Sequence, residues 1–196
     1  MLDIPCVIFA GGRSTRMGKD KALLPFGDFP TLTQFQINRL EKIFSTVYIS
    51  CKNKNKFDFL QDYEETKFIE DVSSQSTYAP TAGFIAVYNK LQEKSFFVIS
   101  VDSPFISKTE ILKIIKEDKK DLDATIAKTK FGMQPMCGIY HYSLFEKFTD
   151  MLKQNKHKLA LLLKSSKTKF VNFEDDSAFL NLNFPSEYKK ALKLLK

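Results

Sequence analysis

The chain of 196 residues has no tryptophan, three cysteines, two histidines, three arginines and seven glycines. A membrane-spanning helix needs about 20 mostly apolar residues in a row, and no run here approaches that, so a helical membrane protein is excluded. Cys6, Cys51 and Cys137 lie far apart with no CxxC spacing. That pattern argues against a disulfide framework and for small buried thiols in a reducing compartment. His141 and His157 have no partner spacing for a zinc site or for a serine or cysteine triad. The start MLDIPC lacks the basic residues and long apolar core of a secretion signal, so an unprocessed, soluble, cytoplasmic protein is the expectation.

What the sequence does have is lysine. The formal charge is +7, and a basic surface concentrates anions such as nucleotides, pyrophosphate or nucleic acid. The lysines are spread over KNKNK (52–56), KEDKK (116–120), KSSKTK (164–169) and the last helical segment. They read as solvated faces, and no aromatics are interleaved to make a platform for single-stranded nucleic acid.

Short apolar runs at Cys6 to Ala10, Thr46 to Cys51, Lys67 to Ile69, Phe96 to Val101 and Ala124 to Ala127 alternate with helical periodicity. Thr33 to Phe44 spaces Phe35, Ile37, Leu40, Ile43 and Phe44 along one helix face, and Lys108 to Lys116 does the same with Ile111, Leu112, Ile114 and Ile115. Alternation of this kind predicts a parallel sheet wound by helices. Beyond about Phe131 the spacing predicts a strand entering a helix in MCGIYHYSLF and a short buried helix over Leu159 to Lys164. It also predicts an edge strand over Lys169 to Phe173 and a closing helix from Pro185 to Lys196. No linker or repeat interrupts the pattern, so a single domain spans 1–196.

Two of the three arginines fall in one loop, FAGGRSTRMGKDK, directly after the first apolar run. In an open α/β sheet, ligands bind beyond the carboxyl ends of the strands. Paired glycines there let the backbone turn successive amides toward an anion, and Arg13, Arg16, Lys19 and Lys21 add charge. The spacing excludes both the GxGxxG dinucleotide fingerprint and the Walker loop: Gly12 and Gly18 are separated by five residues, and Asp20 stands where the magnesium-holding hydroxyl would be. A second signal is FFVISVDSPFI, where a fully apolar strand ends at Asp102 and Ser103-Pro104 turns the chain. A carboxylate at that point suits a hard cation such as magnesium. FIEDV, at residues 68–72, ends another strand with an acidic pair, and Asp71 could accept two hydrogen bonds from guanine where adenine offers no matching pair of donors. In FLNLNF, Asn181 and Asn183 alternate with apolar residues, which predicts both on one face of a short strand.

The loop GGxSxRMGxDK resembles that of the nucleotidyltransferases, and the whole run resembles the LAGGxSxRMGxDK of the molybdenum cofactor guanylyltransferases (MobA family), with Phe9 in the leucine position. The resemblance extends from Phe9 to about Tyr188. It implies a three-layer, Rossmann-like nucleotidyltransferase fold with a mostly parallel sheet and helices on both faces. It further implies guanylyl transfer from GTP to molybdopterin with Mg2+. Phe9, Ala10, Gly11, Gly12, Arg16 and Lys21 would hold the triphosphate, Asp71 would read guanine, Asp102 would hold the metal, and Asn181 and Asn183 would meet the pterin. YAPTAG, 78–83, departs from the family's GPLAG at Ala79 and Thr81 but keeps Pro80 and Gly83, so close approach of a following helix, Phe84 to Leu91, to the nucleotide is expected. MQPMCGIY resembles the family strand near the acceptor. The partners implied are GTP, molybdopterin, other cofactor-biosynthesis proteins and acceptor molybdoenzymes, with no membrane or nucleic acid. Transfer of a cytidylyl group or transfer to a sugar phosphate is the alternative on the same fold, although the order Ala10-Gly11-Gly12 favours the guanylyl branch. A basic nucleic-acid-binding module is the alternative from another class.

Overall fold

The computed structural model describes residues 1–12, 14–60, 66–71, 80–92 and 94–195. Seven strands form one sheet: β1 (Cys6–Phe9), β2 (Val47–Cys51), β3 (Thr66–Glu70), β4 (Phe96–Ser100), β5 (Ala124–Thr129), β6 (Gly132–Tyr140) and β7 (Thr168–Asn172). Their order across the sheet is β3-β2-β1-β4-β6-β5-β7. Only β6 runs antiparallel to its neighbours β4 and β5. Among the described residues six helices cover the faces: α1 (Leu32–Leu40), α2 (Pro80–Leu91), α3 (Lys108–Glu117), α4 (Phe145–Lys153), α5 (Leu159–Lys164) and α6 (Pro185–Leu194).

The three layers follow from strand periodicity. Successive side chains of a strand point to opposite faces, so Cys6 and Ile8 of β1 enter one core with α1, α3 and α6. Val7 and Phe9 enter the other, with α2, α4 and α5. The second core is aromatic: Phe84 of α2 stacks on Phe148 of α4 with centroids 4.5 Å apart and meets Tyr140 at 4.6 Å. All three thiols are buried and free.

Several expectations shift in detail. The first helix stops at Leu40 rather than Phe44: an N–H to C=O bond from Ile43 back to Leu40 at 2.9 Å tightens the chain. Phe44 then bridges to Leu2, and Ile43 and Phe44 stay buried outside the helix. Strand β6 begins at Gly132, before the expected run, and its pairing with β5 shifts register between Ile126 and Lys128. Pro135 lies in this stretch and has no N–H for the ladder, which is the physical reason for an irregularity there. Asn181 and Asn183 sit on no strand. Residues 180–183 run unpaired alongside the end of β4, held by the Leu182 N–H donating to the Asp102 carbonyl at 2.9 Å. Leu182 is buried while both asparagines stay partly open.

Candidate active site

After β1, β2 and β3 have been laid side by side, the chain returns to place β4 on the other flank of β1. The crevice beyond the carboxyl ends of β1 and β4 is therefore the switch point at which such sheets bind ligands. The loop after β1 opens into it. Neither Gly11 nor Gly12 has the left-handed backbone expected of paired glycines; in this loop that conformation belongs to Ser14 (φ 51°) and Gly18 (φ 67°). What Gly12 contributes is space, because a Cβ there would meet no atom within 4 Å and would project into the cleft. Ser14 and Asp20 organise the rest: Ser14 Oγ accepts from the Lys21 amide at 3.1 Å, and Asp20 Oδ1 caps the next turn by accepting from the Ala22 amide at 3.0 Å.

This fold of the loop aims Lys21 across the crevice. Its Nζ pairs with Asp102 Oδ2, and it donates to Asn183 Oδ1 at 3.2 Å. Asp102 is held from behind by Ser100 Oγ, which donates at 2.6 Å. Arg16 reaches the same Asn183 oxygen at 3.5 Å, and its guanidinium lies 5.0 Å from the centre of the Phe184 ring. Arg16, Lys21, Asp102 and Asn183, distant in sequence, thus line one cavity with Phe9, Ala10 and Gly12. Arg13 lies outside the described residues.

On one side the cleft continues to Asp71 past the end of β3, whose amide donates to the Cys51 carbonyl at 2.9 Å. Burial raises the Asp71 carboxyl to about 6, with Lys52 pulling the other way. Helix α2 begins at Pro80, earlier than expected, so Gly83 sits in its first turn rather than before it. A Cβ on Gly83 would come within 2.9 Å of the Phe9 ring, 3.0 Å of Ser50 Oγ and 3.1 Å of Asp71 Oδ1. Glycine is therefore what lets the helix start approach this wall. Tyr78 and Ala79 of the expected loop, and Val72 after the acidic pair, lie outside the described residues.

On the other side, Asp102, Ser103, Gln134, Pro135, Asn181 and Asn183 line an adjoining cavity. Asn181 Oδ1 accepts from Ser103 Oγ at 2.5 Å, and both asparagines line this cavity from a loop rather than from the short strand expected. The lysines of KNKNK are not uniformly solvated. Lys56 Nζ donates to the Ala10 carbonyl and to Asp20 Oδ2, both at 3.0 Å, and Lys52 lines the wall beside Asp71. Sequence patterning misses both because a lysine-asparagine run has the same composition on a solvated turn as on a cleft rim. Ser100, which touches all three parts of the cleft, was concealed as the polar end of an apolar strand.

Comparison with known proteins bears on what this cleft is for. Residues 6–169 match the family model described as the MobA-like NTP transferase domain. The chain belongs to this family. A protein of Campylobacter jejuni named molybdenum cofactor guanylyltransferase is 39% identical over 194 residues, covering 99% of this chain and 98% of that protein. One of the same name from Helicobacter pylori is 29% identical over 201 residues, covering 99% and 90%. Among solved structures, molybdopterin-guanine dinucleotide biosynthesis protein A of Archaeoglobus fulgidus superposes with a TM-score of 0.80 at 20% identity, covering 97% of this chain and 98% of that one. That likeness establishes the shared α/β three-layer fold. In open α/β sheets the crevice at the switch point, lined here by Arg16, Lys21, Asp20 and Asp102, is where ligands bind.

Proposed function

We infer that this protein is a molybdenum cofactor guanylyltransferase, transferring GMP from GTP to molybdopterin with release of pyrophosphate. The observation that carries this is the 39% identity across nearly the full length of the C. jejuni protein of that name. The arrangement of the cleft supports a division of labour. The terminal phosphate oxygen of molybdopterin attacks the α-phosphorus of GTP, a new P–O bond forms, and the bond to the bridging α–β oxygen breaks with its electron pair leaving on pyrophosphate. No covalent intermediate with the protein is needed, so the work is positioning and charge stabilisation.

Backbone groups from Phe9 to Gly12, with Arg16 and Lys21, hold the triphosphate. Asp71 reads guanine by accepting from N1–H and the 2-amino group, two charge-assisted bonds worth about 1.5–3 kcal/mol each. Gly83 gives the base room at the start of α2, and Asn181 and Asn183 meet the pterin side. Magnesium fits the donor set. Asp102 presents carboxylate oxygen, and no cluster of three or more ligating side chains exists among the described residues. This suits a cation that takes one or two protein carboxylates and completes its shell from phosphates and water. Held by Asp102, magnesium would supply charge neutralisation on the phosphates. Lys21, which pairs with Asp102, supplies a donor for phosphate oxygens. The three free, buried thiols suit a reducing cytoplasm. The cofactor-biosynthesis proteins and molybdoenzymes implied by the family are the partners proposed.

Titration with GTP, CTP, ATP and UTP in magnesium tests the reading. Tightest binding of GTP is expected, and preference for another nucleotide would retire guanylyl transfer. Lys21→Ala should lower turnover about 100- to 1,000-fold without unfolding the protein, as checked by circular dichroism and pyrophosphate release.

A further inference from the structure

The third arginine lies away from the loop that holds the other two. Arg39, on α1, is half-buried, and the loss of water around it pulls its pKa down to about 10. Among the described residues no carboxylate forms an ion pair with it. Glu110, the acidic group acting on it from α3, accepts from the Ser107 amide at 2.8 Å, and the Cys6 and Cys137 thiols facing it are kept neutral by burial. A guanidinium drawn partly out of water needs acceptors from the protein for its donors.

Two of its three hydrogen bonds go to the segment after β4, and the third goes to a neighbour on α1 that binds the same segment. Arg39 Nη1 donates to the Ile106 carbonyl and Nη2 to the Ser103 carbonyl at 3.4 Å, while Nε donates to Gln36 Oε1 at 2.6 Å. Gln36, fully buried one helical turn earlier, donates through Nε2 to the carbonyls of Ser100 at 3.2 Å and Val101 at 3.0 Å. Two side chains at i and i+3 on one helix therefore bind four carbonyls of a single segment, Ser100 to Ile106. The Val101 carbonyl belongs to the peptide plane leading into Asp102, and the Ser103 carbonyl belongs to the plane leading into Pro104, which has no N–H to anchor the turn. The plane after Asp102 is held by its own carbonyl, which accepts from the Leu182 amide at 2.9 Å, and by the Ser103 amide, which donates to the Ser100 carbonyl at 3.1 Å. With the Val101 plane fixed by Gln36, the direction in which the Asp102 carboxylate leaves the backbone is set.

We propose that Gln36 and Arg39 are positioning residues for the transfer, clamping the segment after β4 so that Asp102 stands against Lys21 in the cleft. The proposal rests on the reading of Asp102 as part of the transfer site. Neither residue touches the cleft's contents; both act through the backbone.

The test uses the full chain with Gln36→Met, close in volume but without donors, and Arg39→Lys, which keeps the charge but not the fork. Amide hydrogen exchange is measured on the nucleotide-free protein, and kcat and KM for GTP are measured beside it, with Asp102→Asn as control. Exchange over Val101 to Ile106 should quicken about tenfold while the rest of β4 and β1 is unchanged. Turnover should fall about 100-fold, as misplacement of a reacting group by about 1 Å does, with KM for GTP within about threefold. Unchanged kcat in Gln36→Met overturns the proposal whether or not exchange quickens, and so does a loss confined to thermal stability. Should Arg39→Lys fail to fold, Gln36→Met decides alone. Full turnover in Asp102→Asn would instead overturn the reading of Asp102, and the clamp with it, leaving a different signature from an inert Gln36.

Discussion

Asp71 shows how a single residue's surroundings set its chemistry. Its ordinary value is 3.8, and burial raises it to about 6. Only the ionised carboxylate can accept from both guanine donors, because a protonated one places a donor opposite a donor. Affinity for GTP should therefore weaken as pH falls through about 6, approaching tenfold per unit below it, with calorimetric Kd values from pH 5 to 8 as the check. The sign for stability is opposite. The folded protein holds this proton more tightly than the unfolded chain, so Asp71 favours the fold at low pH and that contribution is lost as pH rises from about 4 to about 6. Asp71→Asn should remove the pH dependence of binding and cost about 10- to 100-fold in GTP affinity, the equivalent of one charge-assisted bond.

At the scale of an element, α2 links core and cleft. Its first turn presses Gly83 against Phe9, Ser50 and Asp71, while the next residue, Phe84, stacks into the aromatic core. Gly83→Ala should gain about 1 kcal/mol of helix propensity and lose about 1–3 kcal/mol to overpacking. The net loss of about 0–2 kcal/mol should lower its melting temperature by up to about 8 °C, while KM for GTP rises as the wall is pushed into the base site. Phe148→Ala, on α4, removes the ring on which Phe84 stacks. Losing a fully buried ring should cost about 3–5 kcal/mol, visible as a lower urea midpoint.

For the molecule as a whole, the charge of +7 combines with cations focused at one mouth, Arg16 and Lys21 lining the cavity and Lys56 bracing its loop. Steering of a triphosphate by such a field is screened as the Debye length falls from about 30 Å at 0.01 M salt to about 8 Å at 0.15 M. Stopped-flow association rates for GTP should drop several-fold over that range, while single-turnover kcat stays nearly constant because the inner contacts are partly buried.

Local pattern was enough to read the alternation of strands and helices, the anion loop after β1 and the carboxylate at the end of β4, because each is written in consecutive residues with one period or one spacing. Tertiary structure alone decided that β6 runs against its neighbours and that Asn183 meets Lys21 and Arg16. It also decided that Lys52 lines the cleft wall and Lys56 braces the loop after β1 while Lys54 faces water, and that Gln36 and Arg39 grip the Asp102 segment. These depend on which strand ends come together across the sheet. Hydrogen bonds between residues more than 60 positions apart leave no period in the chain, because their geometry exists only once the layers have closed.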